Sequence, residues 1–162
     1  MASALELKNA ADLSFQRNVP MAILTITTVS AGNTNMASGS FVAVNFDTEQ
    51  ADNYAGHSNV TNNSRYTAQV AGWYWVRACV SFSNASATGN RGVWLYVNGS
   101  AVAYAFTIVA SGATANFCGY EVNAPIFLNV GDYVEARAFQ SSGSTLSLNA
   151  GGNNMSLYWM HS

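Results

Sequence analysis

The side chains with the plainest chemical reach are the carboxylates Asp47, Glu49, Asp52, Glu121, Asp132 and Glu135. Two carboxylates converging on one glycosidic bond can hydrolyse it. Asp47 and Glu49 stand at alternate positions, which points both to one side if a strand runs through them. No other feature marks them as a pair, so solvated loop acids are the expectation. Asp132 follows Gly131 ahead of a β-prone run, where an Asp usually bonds the backbone of its own turn. Asp47, Glu49 and Asp52 also offer the hard oxygen ligands that calcium takes; their spacing is not that of an EF-hand loop, and calcium there stays open. His57 lies in a polar loop and His161 near the C-terminus. No Gly-x-Ser-x-Gly elbow accompanies them, so a nucleophilic triad is not expected. Cys79 and Cys118 sit far apart in apolar runs; free buried thiols are the expected state, and a disulfide between them the alternative. Cysteines and histidines at these separations do not make a zinc site. We expect no catalytic residue, no metal site of recognisable type and no cofactor.

Aromatic side chains are the second kind of candidate. Tyr54, Trp73, Trp75, Trp94 and Tyr96 could each cover the apolar face of a sugar ring, but at strand parity such rings more often fill a core or a subunit contact. Trp73, Trp75, Arg77, Trp94 and Tyr96 are accordingly expected at a subunit interface. Arg77 and Arg137 lie within strands, where a charge is ordinarily paired, and Glu135 can serve either. The loop residues Asn53, Tyr54, His57 and Asn59 form the expected exposed ligand contact, with a host-surface glycan as its candidate ligand.

The elements that must position these residues are strands. After Pro20, short β-prone runs alternate with Gly, Asn, Ser and Thr clusters, the pattern of a sandwich or barrel. The expected strands are 22–29, 41–46, 65–70, 73–82, 93–97, 102–109, 115–122, 126–128, 133–140, 146–149 and 155–160. Asn98-Gly99 tolerates the two positive φ angles of a type I′ turn, which joins 93–97 to 102–109 as a hairpin. In 73–82, Tyr74, Val76, Ala78, Val80 and Phe82 share the core face, opposite Trp73, Trp75, Arg77 and Cys79. Val93, Leu95 and Val97 likewise oppose Trp94 and Tyr96. Two apolar faces on one strand imply that one packs on the partner sheet and the other on a neighbouring subunit. Ahead of Pro20, Ser3 and Glu6 fit a capping box for a short amphipathic helix through Leu5 and Phe15. Residues 1–20 read as an arm and 21–162 as one β domain.

Composition narrows the partners. The 162 residues fit one domain, and 9% charged against 49% hydrophobic residues exclude a disordered chain. A net charge of −2 with 6 basic residues cannot neutralise a run of phosphates, so nucleic acid is not an expected partner. The start of the chain lacks the uninterrupted apolar core of a secretory signal. No apolar run approaches the roughly 20 residues of a membrane helix, so no membrane insertion is expected. So little charge over so much apolar surface favours an assembly.

Four landmarks fall in a familiar order: Val44-Asn45-Phe46-Asp47-Thr48-Glu49, then Asn62 through Ala71-Gly72-Trp73-Tyr74-Trp75-Val76, then Val93-Trp94-Leu95-Tyr96-Val97-Asn98-Gly99, and finally Val130-Gly131-Asp132-Tyr133-Val134-Glu135. Across residues 20–162 the chain resembles the globular head of complement proteins, the tumour-necrosis-factor-like (TNF-like) jelly roll, and more closely the version found in tailed-phage virion proteins. Asp47-Thr48-Glu49 and the Ala-Gly-Trp-Tyr turn are its most specific parts. The resemblance implies an all-β jelly-roll sandwich of about ten strands, preceded here by a short N-terminal arm. It also implies a homotrimer, and a place on the virion, assembled in the host cytoplasm. No Gly-X-Y stalk, heptad or β-helix repeat precedes the head. The arm, through Leu5, Leu7, Leu13 and Phe15, is therefore expected to dock directly on a phage capsid or tail protein. The expected function is a non-enzymatic structural protein, a capsid decoration or head-surface knob with weak glycan adhesion. A tail-tip or tail-fibre protein for host attachment is the alternative, and a glycan-cleaving enzyme the remaining one.

Overall fold

Alternation of buried and outward side chains is clearest in Gly72–Ser81, where Tyr74, Val76, Ala78 and Val80 are fully buried and Trp73, Trp75, Arg77 and Cys79 face outward. This is the parity read from the sequence. The computed structural model describes residues 19–83, 88–111 and 119–162. The arm residues Leu5, Leu7, Leu13 and Phe15, and Cys118, lie outside the described residues. The strands are β1 (Met21–Thr25), β2 (Ser40–Ala43), β3 (Thr48–Asp52), β4 (Arg65–Thr67), β5 (Gly72–Ser81), β6 (Gly89–Val97), β7 (Ser100–Ser111), β8 (Gly119–Leu128), β9 (Tyr133–Gln140) and β10 (Asn154–His161). Among the described residues the only helical element is a 3-10 turn at Ala31–Asn33.

Two antiparallel sheets face each other, the first ordered β3-β1-β10-β5-β8 and the second β2-β9-β6-β7. In the second sheet β4 lies beside β2, pairing the start of β9 (Arg65↔Glu135) while β2 pairs its end (Phe41↔Phe139). The chain crosses between sheets at almost every connection, which makes this an all-β jelly-roll sandwich. Leu24, Phe46, Tyr66, Tyr74, Phe82, Leu95, Leu128 and Leu157 fill the space between the sheets. Where the ladders stop, buried amides replace them. Asn33 exchanges both bonds with the Asn45 backbone, and Gln140 donates to the Met36 and Ser144 carbonyls while accepting from Ser142. Polar groups this deep are tolerated because their capacity is filled.

Tight turns show why particular residues are needed. Asn98 and Gly99 take φ of 49° and 79°, the expected hairpin turn between β6 and β7. The Asn98 side chain then ties this turn to β9, donating to Asp132 at 2.7 Å and accepting from the Tyr133 amide at 3.0 Å. Gly72 has φ of 148°, and a Cβ there would lie 2.2 Å from Trp159 Nε1, whose proton goes to the Ala71 carbonyl. That contact fixes the Ala-Gly-Trp-Tyr turn.

Several boundaries differ from those read in the sequence. β3 was not expected, because Thr-Glu-Gln-Ala-Asp has one β-branched residue and no apolar alternation; it forms as an edge strand, where charge is favoured. Residues 119–128 make one strand rather than two. Pro125 does not break it because β8 is also an edge, so the missing N–H faces no partner. Residues 146–149 are not a strand; Leu146 and Leu148 make isolated bridges to Met36 and Phe82. β7 is irregular: Trp94 pairs Phe106, but Tyr96 pairs Ala101, and the slack lets Trp94 Nε1 donate to the Val102 carbonyl at 2.9 Å.

Candidate functional site

The outer face of the second sheet centres on Glu135. This carboxylate is only 2% exposed, and it accepts from Ser64 Oγ and Arg65 Nε at 3.0 Å through Oε1 and from Arg137 Nη2 at 2.8 Å through Oε2. Register explains the meeting: Arg65 on β4 and Tyr96 on β6 both lie directly opposite Glu135, and Arg137 follows it on the same face. Burial alone would raise the Glu135 pKa; the bonds from Arg137, Arg65 and Ser64 outweigh it and hold the carboxyl below its ordinary value. Each guanidinium also lies over a ring, Arg65 at 4.0 Å from the Tyr133 centroid and Arg137 at 4.1 Å from Tyr96. Farther along, Phe41 packs on Phe139 and edge-on against Trp94, and Trp94 stacks on Phe106 at 4.3 Å. Arg77, the other expected partner of Glu135, is on the first sheet and pairs instead with Glu121.

Beside Arg65 and Tyr133 a polar cleft of about 320 Å³ opens, lined by Ala55–Ser58, Thr61, Asn62, Arg65, Thr67, Gln69 and Tyr133. The loop above it is held from within. His57, expected to be exposed for ligand contact, is only 8% exposed, and its imidazole is fully enclosed. Its Nδ1 lies 2.9 Å from Glu49 Oε1 and its Nε2 3.1 Å from the Asn63 carbonyl, while its amide donates to Asp52 at 2.8 Å. The imidazole turned inward because two acceptors, the Glu49 carboxylate and the Asn63 carbonyl, wait there. Gly56 packs directly on the Tyr66 ring, where a Cβ would stand 2.4 Å from the ring edge and 2.7 Å from the Thr67 carbonyl. Of the other expected contact residues, Asn53 is exposed but its amide is committed to Met21 and Val19, Tyr54 is half-buried, and Asn59 is exposed.

The acids weighed for catalysis or calcium are taken up by bonds within the chain. Asp47 accepts from the Thr27 and Thr28 amides at 2.8 and 2.7 Å and from two threonine hydroxyls. Its desolvation is outweighed by these bonds, and its pKa is lowered. Glu49 meets His57, and Asp52 bonds the His57 and Tyr54 amides. Asp132 bonds the Asn129 amide of its own turn, the use read from the sequence. Among the described residues no three His, Cys, Asp or Glu side chains converge as a metal would require. Cys79 is free, and desolvation pushes its thiol pKa up.

The residues expected at one subunit contact are divided by the sandwich. Trp73, Trp75 and Arg77 lie on the outer face of the first sheet, Trp94 and Tyr96 on the outer face of the second. On the first face Trp73 (36% exposed), Met21, Ile23, Phe127 and Tyr158 (49% exposed) stand open. A second open apolar patch, Tyr104 and Phe106, lies on the outer face of β7, with Val109 exposed farther along the strand. Sequence parity finds Trp73 on the first face but not Met21, Ile23, Phe127 or Tyr158 beside it, nor the place of Arg65 against Glu135, which comes from a strand far away along the chain.

Comparison with known proteins rests on structure. No family model matches the chain, and no curated protein matches it in sequence. In structure it is similar to murine APRIL, with a TM-score of 0.60 and 13% identity over 88% of this chain and 100% of that one. It is also similar to the globular domain of zebrafish complement 1qA protein, with a TM-score of 0.62 and 13% identity over 89% of this chain and 98% of that one. The fold is thus the TNF-like, complement-head jelly roll.

Proposed function

We propose that this chain is a non-enzymatic structural protein that assembles as a homotrimer on the surface of a tailed-phage particle, as a capsid decoration or head-surface knob. The observation that carries the assembly is the pair of unlike apolar surfaces, one on the outer face of β1, β10 and β5 and one along β7. A two-fold dimer uses one self-complementary patch. Two different patches on different sides of a subunit instead fit a head-to-tail contact that closes into a ring. The jelly-roll fold and the low charge support the same reading, and Trp73, Trp75 and Arg77 belong to the first of these surfaces.

The virion location is supported by the sequence resemblance at Asp47-Thr48-Glu49 and Ala71-Gly72-Trp73-Tyr74. Both stretches have structural work, Asp47 closing the 27–28 turn and Gly72 seating Trp159. The engagement of Asp47, Glu49 and Asp52 in bonds within the chain supports a binding rather than a cleaving role. Attachment through Leu5, Leu7, Leu13 and Phe15 belongs to this proposal. Sedimentation at micromolar concentration should give a single species of three times the 17.2 kDa chain mass; a single-copy species would overturn the reading. Imaging of intact particles should place the protein at the head surface, and density at the tail tip would favour the fibre alternative.

A further inference from the structure

The cleft beside Arg65 is built to take a small, hydroxyl-rich anion. We propose that it binds an acidic sugar, a pyranose carrying one carboxylate, with the Arg65 guanidinium as the carboxylate's partner. This rests on the surface-protein reading only in supplying a glycan as the source of the sugar.

Charge carries the first step. Arg65 and Arg137 share the single carboxylate of Glu135, which leaves one positive charge in excess on this face, and no carboxylate lines the cleft. Both Glu135 oxygens are already filled, Oε1 by Ser64 and Arg65, Oε2 by Arg137. Arg65 spends Nε on Glu135, so the two terminal nitrogens of its fork remain for the cleft. Stacking on Tyr133 fixes the plane of that fork, and a planar guanidinium matches a carboxylate through two parallel bonds.

The lining carries the second step. Ser58, Thr61, Asn62 and Gln69 supply hydroxyls and amides, while Tyr133 supplies a phenol ring. Such a wall solvates a ligand that has many hydroxyls and little apolar surface. The volume stands at the low end of small-molecule sites, about 300–1,000 Å³. One excess positive charge suits a monoanion, which selects a carboxylate over a phosphate monoester. The wall is preformed as well: His57 is bonded at both ring nitrogens, and Gly56 takes the Thr67 amide on its carbonyl at 2.7 Å. Little ordering is left for binding to cost.

Titration calorimetry and saturation-transfer NMR on the full chain would test this with D-glucuronate, methyl α-glucoside and glycerol 3-phosphate as probes. Glucuronate should bind about tenfold or more tightly than the neutral glucoside, the size of one charged hydrogen bond. R65Q should remove that preference. T61W, which fills the cleft from an exposed loop position, should abolish binding with the melting temperature unchanged, and so serves if R65Q disturbs the Glu135 group. Equal binding of the glucoside, tighter binding of glycerol 3-phosphate, retained binding in T61W, or no binding of glucuronate would each overturn the proposal. Sedimentation of the same samples separates the two claims. A trimer indifferent to glucuronate ends this inference alone, and a single-copy species that binds it ends the assembly reading alone.

Discussion

The two outer faces of the sandwich both carry aromatic rings and treat them oppositely. On the second sheet, Phe41, Trp94, Phe106 and Phe139 pack on one another, and Arg65 and Arg137 lie over Tyr133 and Tyr96. On the first sheet, Trp73 meets Phe127 edge-on, but Met21, Ile23 and Tyr158 stand open. The rings of the second face pack within one chain except along the open β7 margin; those of the first face have few partners within the chain. Outward apolar residues on a strand are therefore not one class. Those with in-chain partners are part of the protomer's own stability, and those without them are the better guide to assembly.

The contrast can be broken most severely at Glu135. E135A should cost about 3–5 kcal/mol of folding stability, because it leaves two arginines without their shared counter-charge. Chemical denaturation would measure it, and a cost under about 1 kcal/mol would mean that water already solvates the group. The pH dependence has a definite sign. The folded-state pKa lies below the ordinary value of 4.5, so this contribution is present above pH 4.5 and is lost as the pH falls through the depressed value. Wild type should therefore lose stability on acidification more steeply than E135Q.

Y158D on the open face should weaken the trimer by about a hundredfold, the effect of one interface hot spot, with protomer folding intact. Sedimentation against concentration would show it, and an unaltered trimer would remove that face from the contact. W94A should do the reverse. It loses its packing on Phe41 and Phe106 and costs about 2 kcal/mol in thermal unfolding, with the assembly mass unchanged. D47N, farther from both faces, should cost about 1 kcal/mol by weakening the bonds to the Thr27 and Thr28 amides.

Short-range signals in the sequence translated directly into structure. Tyr133–Gln140 matches the expected strand end to end, the Asn98-Gly99 turn has the two expected positive φ angles, and the β5 parity holds from Trp73 to Val80. What failed depends on neighbours that the sequence does not name. β3 exists because β1 offers it a free edge, and Pro125 is tolerated because β8 has one. His57 reads as a polar loop residue, yet Glu49 and the Asn63 carbonyl draw it inside. The cleft was legible only as a polar loop, since Arg65 and Tyr133 meet through the β4–β9 pairing.

Proline at the exposed margin of β8 has a further consequence. Along that margin the Glu121 and Pro125 carbonyls already accept hydrogen bonds from Thr107 and Tyr104 of the facing sheet, and Pro125 has no amide hydrogen to offer. A stray chain seeking to zip on as an extra strand finds three of these bonding positions occupied or missing. The β8 edge is thereby blunted as a template for cross-β growth, and a neighbour approaching it is left to meet side chains.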